Sequence, residues 1–283
     1  MSISLPDPGF RRDDKKGGRV TKKIDFKHIV ITGASSGIGE ALALHYAALG
    51  VRLTLNGRNE ERLANIANKC RDRGADVEAK ILCVTDRAEM KLWLEQADDA
   101  LPVDLLIANA GISAGMGSSK SGEKAEQTRQ LFDINLSGKL NTIEPLLPRM
   151  IARQAGHIAL MSSLAGFRGW PGAPAYSASK GAVRLYGEAL RGALSGTGVS
   201  VHVICPGFVK SRITDVNEFP MPFLMEADKA AIIIANGIAK GRGRIAFPWP
   251  VYFAARCLSA MPDSLASRLQ RALPTKSEMS QSG

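Results

Sequence analysis

Residues 28–39 read His-Ile-Val-Ile-Thr-Gly-Ala-Ser-Ser-Gly-Ile-Gly. Ile29, Val30 and Ile31 are apolar on both faces, the pattern of a strand covered by helices on either side. The chain then places glycines at Gly33, Gly37 and Gly39 and enters a helical pattern over 38–49. Such a turn withholds side chains where a pyrophosphate must approach backbone N–H groups. The helix that follows adds the positive end of its dipole. A strand, a glycine-rich turn and a helix in this order are the context a dinucleotide-binding turn requires.

The same alternation continues along the chain. Short apolar runs fall at His28–Thr32, Arg52–Asn56, Val77–Val84, Val103–Ala108, His157–Ser162, Val199–Cys205 and Arg244–Phe247. Helical patterns fall between them, near 38–49, 59–73, 86–98, 124–153, 176–195 and 227–239. Alternation over this length predicts an α/β chain: a three-layer, doubly wound Rossmann fold on a seven-stranded parallel sheet. No internal repeat interrupts it. The chain divides into a basic flexible arm (1–25), the α/β body (26–248) and a helical C-terminal extension (249–283).

Composition excludes several classes. Of 283 residues, 45% are apolar and 23% charged, so a sizeable core is expected and global disorder is not. Four cysteines and four histidines lie scattered, without ligand or disulfide spacing. That argues for a reducing, cytoplasmic setting and against a metal site. The longest uncharged apolar run near an end, Ile245–Ala255, is 11 residues with two prolines. A membrane span needs about 20. The net charge of +10 is uneven: +4 lies in 1–27, +5 in 240–283, and only +1 between. The near-neutral body argues against a nucleic-acid face. The basic ends read first as solvated arms, and second as contacts to an anionic membrane surface.

Chemistry is concentrated at Tyr176-Ser-Ala-Ser-Lys180. Residues four apart share a helix face, so Lys180 is expected beside the Tyr176 phenol, lowering its pKa. A phenol so tuned is a proton donor and acceptor near neutral pH. Ser163 lies thirteen residues earlier, just past a strand end, where a ligand crevice is expected.

These motifs together resemble the short-chain dehydrogenase/reductase family, in the branch with the Thr-Gly-x-x-x-Gly-x-Gly turn. Asn109-Ala110-Gly111 after the fourth strand, Asn135 in Ile-Asn-Leu-Ser-Gly, and Pro206-Gly207 after the sixth strand agree. The resemblance covers roughly 27–248. It implies that Tyr176 is the general acid in carbonyl reduction and the base in alcohol oxidation. It implies that Ser163 polarises the substrate oxygen, that Lys180 holds the nicotinamide ribose, and that Asn135 positions a water leading to Lys180. Ser162, beside Ser163, lacks the family spacing to Tyr176. The cofactor site implied comprises Gly33, Ser35, Ser36, Gly37, Ile38, Gly39, Arg58, Asn109, Ala110, Gly111, Tyr176, Lys180, Pro206, Gly207, Val209 and Ser211. Three positions depart from the pattern: Cys83 where many members place an acid or amide for adenine, Ala108 for an asparagine, and Ser211 near a usual threonine.

NAD readers place an acid after the second strand to accept from the ribose hydroxyls. Here Gly57 fills that place and Arg58 follows, a guanidinium suited to a phosphate. NADP(H) is expected, with NAD(H) left open. The other reading of Arg58 is a surface arginine opening a polar helix. The segment 211–227 corresponds to the family's substrate loop. Its Phe219, Met221, Phe223, Leu224 and Met225 suit a lipophilic or bulky carbonyl or alcohol, or else pack on the body or another subunit. Phe167 and Trp170 are candidates for the same cavity or for the core.

In the extension, Leu265, Leu269 and Leu273 recur every four residues, with Arg268 and Arg271 off that stripe. The favoured reading is a helix packed on the body or a second subunit, and the other is a peripheral membrane contact. The family resemblance implies a homodimer, ahead of a homotetramer, through helices near 124–153 and 176–195. An oxidoreductase is therefore expected. The alternatives are a non-catalytic nucleotide-sensing scaffold and a membrane-surface protein acting through its basic ends.

Overall fold

The computed structural model describes residues 25–117, 122–215 and 219–270. Seven strands form one parallel sheet in the order β3-β2-β1-β4-β5-β6-β7. They are β1 (His28–Ile31), β2 (Arg52–Gly57), β3 (Asp76–Ile81), β4 (Leu105–Ala108), β5 (Gly156–Met161), β6 (Val199–Pro206) and β7 (Arg244–Phe247). In the centre, Ile29 lies opposite Leu53 on one side and Leu105 on the other. Strand order reverses between β1 and β4, and there the crevice of a doubly wound sheet opens.

Both faces of the sheet are covered. Ile29 and Ile31 pack with Leu42, Leu63, Ile66 and Ile234. Those four come from α1 (Gly37–Tyr46), α2 (Glu60–Arg71) and α9 (Ala227–Ala239). Val30 and Leu106 point the other way, onto Met90, Trp93, Leu94, Ile143 and Val183. Those belong to α3 (Arg87–Ala100), α5 (Gly138–Ile143) and α7 (Pro174–Ala193). Each of these central apolar side chains contributes roughly 1.5–3 kcal/mol by leaving water. Side-chain caps start two of the helices. Asn59 accepts from the Arg62 N–H at 2.9 Å and Asp86 from the Glu89 N–H at 3.0 Å.

Two expectations are corrected. The third strand ends at Ile81 rather than Val84, and the chain then turns into the cap at Asp86. The stretch 124–153 is three helices rather than one: α4 (Ala125–Phe132), α5, and α6 (Leu147–Ala152). A π-helical turn, Asp133–Ser137, joins the first two. Pro148 opens the third, since its missing N–H ends one ladder and fits the first turn of the next.

After β7 the extension forms α10 (Trp249–Ala260) and α11 (Asp263–Gln270). No helix among the described residues is long and apolar enough to cross a membrane. Residues 1–24 of the basic arm, and Arg271 and Leu273 of the amphipathic segment, lie outside the described residues. Within α11 the leucines do not face the body. Leu265 and Leu269 are exposed, while Ala266 and Gln270 are buried.

Candidate active site

A cavity of about 1380 Å³ opens along the carboxyl ends of the strands. Of the catalytic and cofactor residues expected from the sequence, all line it except Gly39 and Asn135, which are buried behind its wall. Of the apolar residues expected in the substrate loop, Phe219 lines it, and Met221, Phe223, Leu224 and Met225 do not. At its floor the turn after β1 meets the end of β4. The Thr32 hydroxyl accepts from the backbone N–H groups of Asn109 (3.1 Å) and Ala110 (3.2 Å). The Asn109 amide donates back to the carbonyls of Thr32 (3.0 Å) and Gly33 (3.1 Å). Asn109 is thus a peg that fixes the glycine turn. Gly33 has φ +68, and a Cβ there would sit 2.7 Å from the Ala110 Cα. A Cβ on Gly39 would run into the Gly33 carbonyl, so the helix can start this close to the strand only with glycine there.

Tyr176 sits in the first turn of α7, whose Ala175 N–H donates to the Glu123 carboxylate at 2.8 Å. Its hydroxyl is hydrogen-bonded to Ser163 and to Ser113. The Ser163 hydroxyl is placed by the Ala165 N–H, 3.1 Å away, and by the Pro206 carbonyl at 3.4 Å. Ser162 instead donates to the Lys180 carbonyl at 2.8 Å and is tied into the backbone. Lys180 is buried, its Nζ 5.6 Å from the centre of the Tyr176 ring. A Cβ on Gly111 would meet the Asn135 Oδ1 at 2.9 Å and the Lys180 Nζ at 3.2 Å, so the Asn135 amide and the Lys180 ammonium both border Gly111.

The Tyr176 pKa departs from expectation. Burial raises it, and the hydrogen bonds from Ser163 and Ser113 act only in opposition. The deep pocket disfavours phenolate more than these partners favour it. Asn135 is also more fully engaged than its motif suggests. Its Oδ1 accepts from the Ile112 N–H at 2.8 Å, and its Nδ2 donates to the Ile112 carbonyl (3.0 Å) and Ser179 Oγ (3.1 Å). The π-helical turn swings this side chain across to the chain leaving β4.

Two polar residues escaped the sequence reading. Ser113 follows the Asn-Ala-Gly turn by two residues, and its position past a strand end was the one signal available. Lys139, one turn beyond Asn135, is buried and donates to the Ala110 carbonyl at 2.7 Å. Burial, and then the Lys180 charge, hold its pKa well below the ordinary lysine value.

One end of the cavity is bordered by the glycine turn and by arginines. Ser35 packs against Gly57, Arg58 stands at the rim, and Cys83 and Val84 close the side. The Cys83 thiol lies 3.0 Å from the Thr85 hydroxyl. The buried Nε of Arg62 has no hydrogen-bond partner among the described residues. An open glycine cradle and an unpartnered buried guanidinium nitrogen fit a dinucleotide cofactor.

The other end is apolar. Trp170, Phe208 and Phe219 meet edge to face, with centroids 5.8 to 6.5 Å apart. Phe167 lines no part of the cavity. It is buried, with the Arg184 guanidinium 4.7 Å over its ring. The extension supplies a wall through Val251, Ala254, Ala255, Leu258 and Gln270. Arg168 fastens that wall, donating to the Leu258 carbonyl (3.4 Å), the Met261 carbonyl (3.2 Å) and the Asp263 carboxylate (2.5 Å). Gln270 donates to the Gly169 carbonyl.

The sequence pattern of the short chain dehydrogenases matches residues 27–219. The chain belongs to the short chain dehydrogenase family. It is 39% identical over 253 residues to an uncharacterized oxidoreductase of Myxococcus xanthus, covering 89% of this chain and 99% of that protein. Among solved structures it is similar to a short-chain dehydrogenase/reductase of Burkholderia phymatum in complex with NAD. The TM-score there is 0.76 at 28% identity, over 91% of this chain and 100% of that one. A short-chain dehydrogenase of Sphingobium yanoikuyae in complex with NADPH gives a TM-score of 0.72 at 27% identity, over 87% and 96%. This short-chain dehydrogenase is thus an oxidoreductase whose relatives hold nicotinamide cofactors.

Proposed function

We propose that the chain is an NADP(H)-dependent reductase of a bulky, lipophilic carbonyl, or works in reverse on the matching alcohol. The observation that carries this is the Tyr176 hydroxyl, held by Ser163 and Ser113 midway along one cavity. That cavity has arginines at one end and an aromatic wall at the other. A bound nicotinamide cofactor supplies the hydride.

The protein's part is orientation and proton delivery. Ser163 donates to the carbonyl oxygen and polarises it. Tyr176 donates its proton to the same oxygen as charge develops there. Its phenol is protonated at neutral pH and so can serve as the proton donor in carbonyl reduction. Lys180, one helical turn along, holds the cofactor ribose and offsets the negative charge left on Tyr176. Asn135 fixes the loop after β4 through Ile112 and so sets the distance between that loop and Lys180. Ser113 shares the Tyr176 hydroxyl and limits its rotation. A phosphate-preferring cofactor end is supported by Arg58 with no carboxylate in the place an NAD reader uses.

The test is NADPH oxidation across ketones and aldehydes of graded bulk, with Tyr176→Phe as control. Rates that rise with apolar bulk and fall by about 10²-fold or more in the variant are expected. Equal rates in both proteins would remove Tyr176 from the reaction.

A further inference from the structure

Arg58, Arg62 and Arg212 border the adenosine end of the cavity from two different walls. Arg58 follows β2, and Arg62 lies one turn along on α2. Arg212 comes from the far side, opening the four-residue helix α8 (Arg212–Asp215) that follows β6. Ser211 anchors that second wall. Its Cβ lies 2.9 Å from where a Cβ on Gly37 would sit, and its N–H donates to Thr214 Oγ1 at 2.8 Å.

Among the described residues the cluster is not paired with carboxylates. None of the three arginines forms an ion pair with another described residue. Arg62 lies close enough to the other two to feel their charge. Burial lowers its pKa first, then Arg212, and Arg58 adds to this, while the Glu61 carboxylate opposes. Its Nε is buried and unpartnered. Three guanidinium groups bordering one concavity, one of them with a nitrogen that no described residue satisfies, describe a receptor for a compact anion. A phosphate monoester has three terminal oxygens and suits arginine forks better than a carboxylate with two.

We propose that Arg62 and Arg212 complete, with Arg58, a three-arginine site for the 2′-phosphate of the cofactor's adenosine ribose. This rests on the NADP(H) reading above and extends it to residues that no sequence motif marks. Arg212 gives the site a second consequence. The segment that carries it also carries Phe208, whose ring meets Trp170 and Phe219 at the substrate end. A phosphate held by Arg212 therefore joins the adenosine wall to the substrate wall.

The experiment is calorimetric titration of 2′,5′-ADP and of 5′-AMP into the full chain and its Arg58→Gln, Arg62→Gln and Arg212→Gln variants. The wild type is expected to bind 2′,5′-ADP at least about tenfold more tightly than 5′-AMP. Arg62→Gln and Arg212→Gln should each remove most of that preference and leave 5′-AMP affinity unchanged. Hydrogen exchange at residues 208–212 should slow with 2′,5′-ADP and not with 5′-AMP. Preference lost in Arg58→Gln but kept in the other two would overturn the inference and leave the NADP(H) reading standing. Exchange that is equal with the two ligands would overturn the role given to Arg212. A wild type without preference would overturn the cofactor reading, and the three-arginine site with it.

Discussion

Lowering the pH should destabilise the chain through one buried imidazole, His202. It is fully buried in β6, stacked on His157 of β5 with ring centroids 5.3 Å apart and planes 2° from parallel. His202 Nδ1 lies 2.7 Å from the Arg242 carbonyl, which can only accept, so Nδ1 carries the proton. The neutral ring then accepts through Nε2 from His157 Nδ1, 3.1 Å away. A second proton would have to enter at Nε2 and would destroy that bond. Burial is the main cause that lowers the His202 pKa, to about 4; the Arg242 carbonyl opposes, and His157 and Arg191 add to the lowering.

In the unfolded chain the group titrates near 6.5, so between about 6.5 and 4 the unfolded state binds a proton that the native state refuses. Stability is therefore lost as pH falls through this window. The share due to His202 is about 1 kcal/mol at pH 5.5 and reaches about 3 kcal/mol by pH 4. His28 and His157, also lowered mainly by burial, add slope of the same sign. The readout is therefore a difference. Urea unfolding at pH 7.5 and 5.5 should show the wild type losing about 1 kcal/mol more than His202→Phe. The variant is less stable at both pH values, because His157 loses its acceptor. An equal acid loss in the two proteins would refute the reasoning.

Two further outcomes follow from cations beside the cleft, Lys139 buried and Arg168 half-buried. Lys139→Met should raise the Tm at pH 7 by a few degrees and flatten its rise toward pH 10, because the lysine's lowered pKa makes the unfolded chain the better proton binder there. A lower Tm at pH 7 would mean that the bond to the Ala110 carbonyl outweighs the cost of burial. Arg168→Ala should lower stability by roughly 1–2 kcal/mol, almost all from the Leu258 and Met261 carbonyls, since Asp263 is exposed and its ion pair adds little. KM for the bulkiest ketones should rise several-fold in this variant while small ketones are unaffected, as read by steady-state NADPH oxidation.

The centre of the sheet was legible in the sequence because its strands are buried on both faces. Runs such as Ile29-Val30-Ile31 and Leu105-Leu106-Ile107 have no other reading at that length. The segmented region around Asn135 was not legible. A π-helical turn keeps helical periodicity, so neither composition nor spacing distinguishes 124–153 from one long helix. The Tyr176 and Lys180 pairing could be read from its four-residue spacing, but the direction of the Tyr176 pKa could not. That depends on how deeply the phenol is set, which only the packed cavity decides. Ser113 was marked only by its place past a strand end, and Lys139, Arg62 and Arg212 were invisible for a related reason. Each acts through residues far off in sequence, and no local pattern records that convergence.

The wall that Arg168 holds in place lies at 249–270, beyond the stretch 27–219 that carries the family pattern. In the proposed function, proton delivery and cofactor grip rest on strand ends and α7, whereas one wall of the cavity comes from a segment that contributes no strand. The two can therefore diverge independently. Substitutions on the inner faces of α10 and α11 can change which molecule is admitted without disturbing the reaction carried out on it. Descendants of one ancestor could share every motif and still differ in diet, and exchange of this segment between relatives is the natural route to redirecting them.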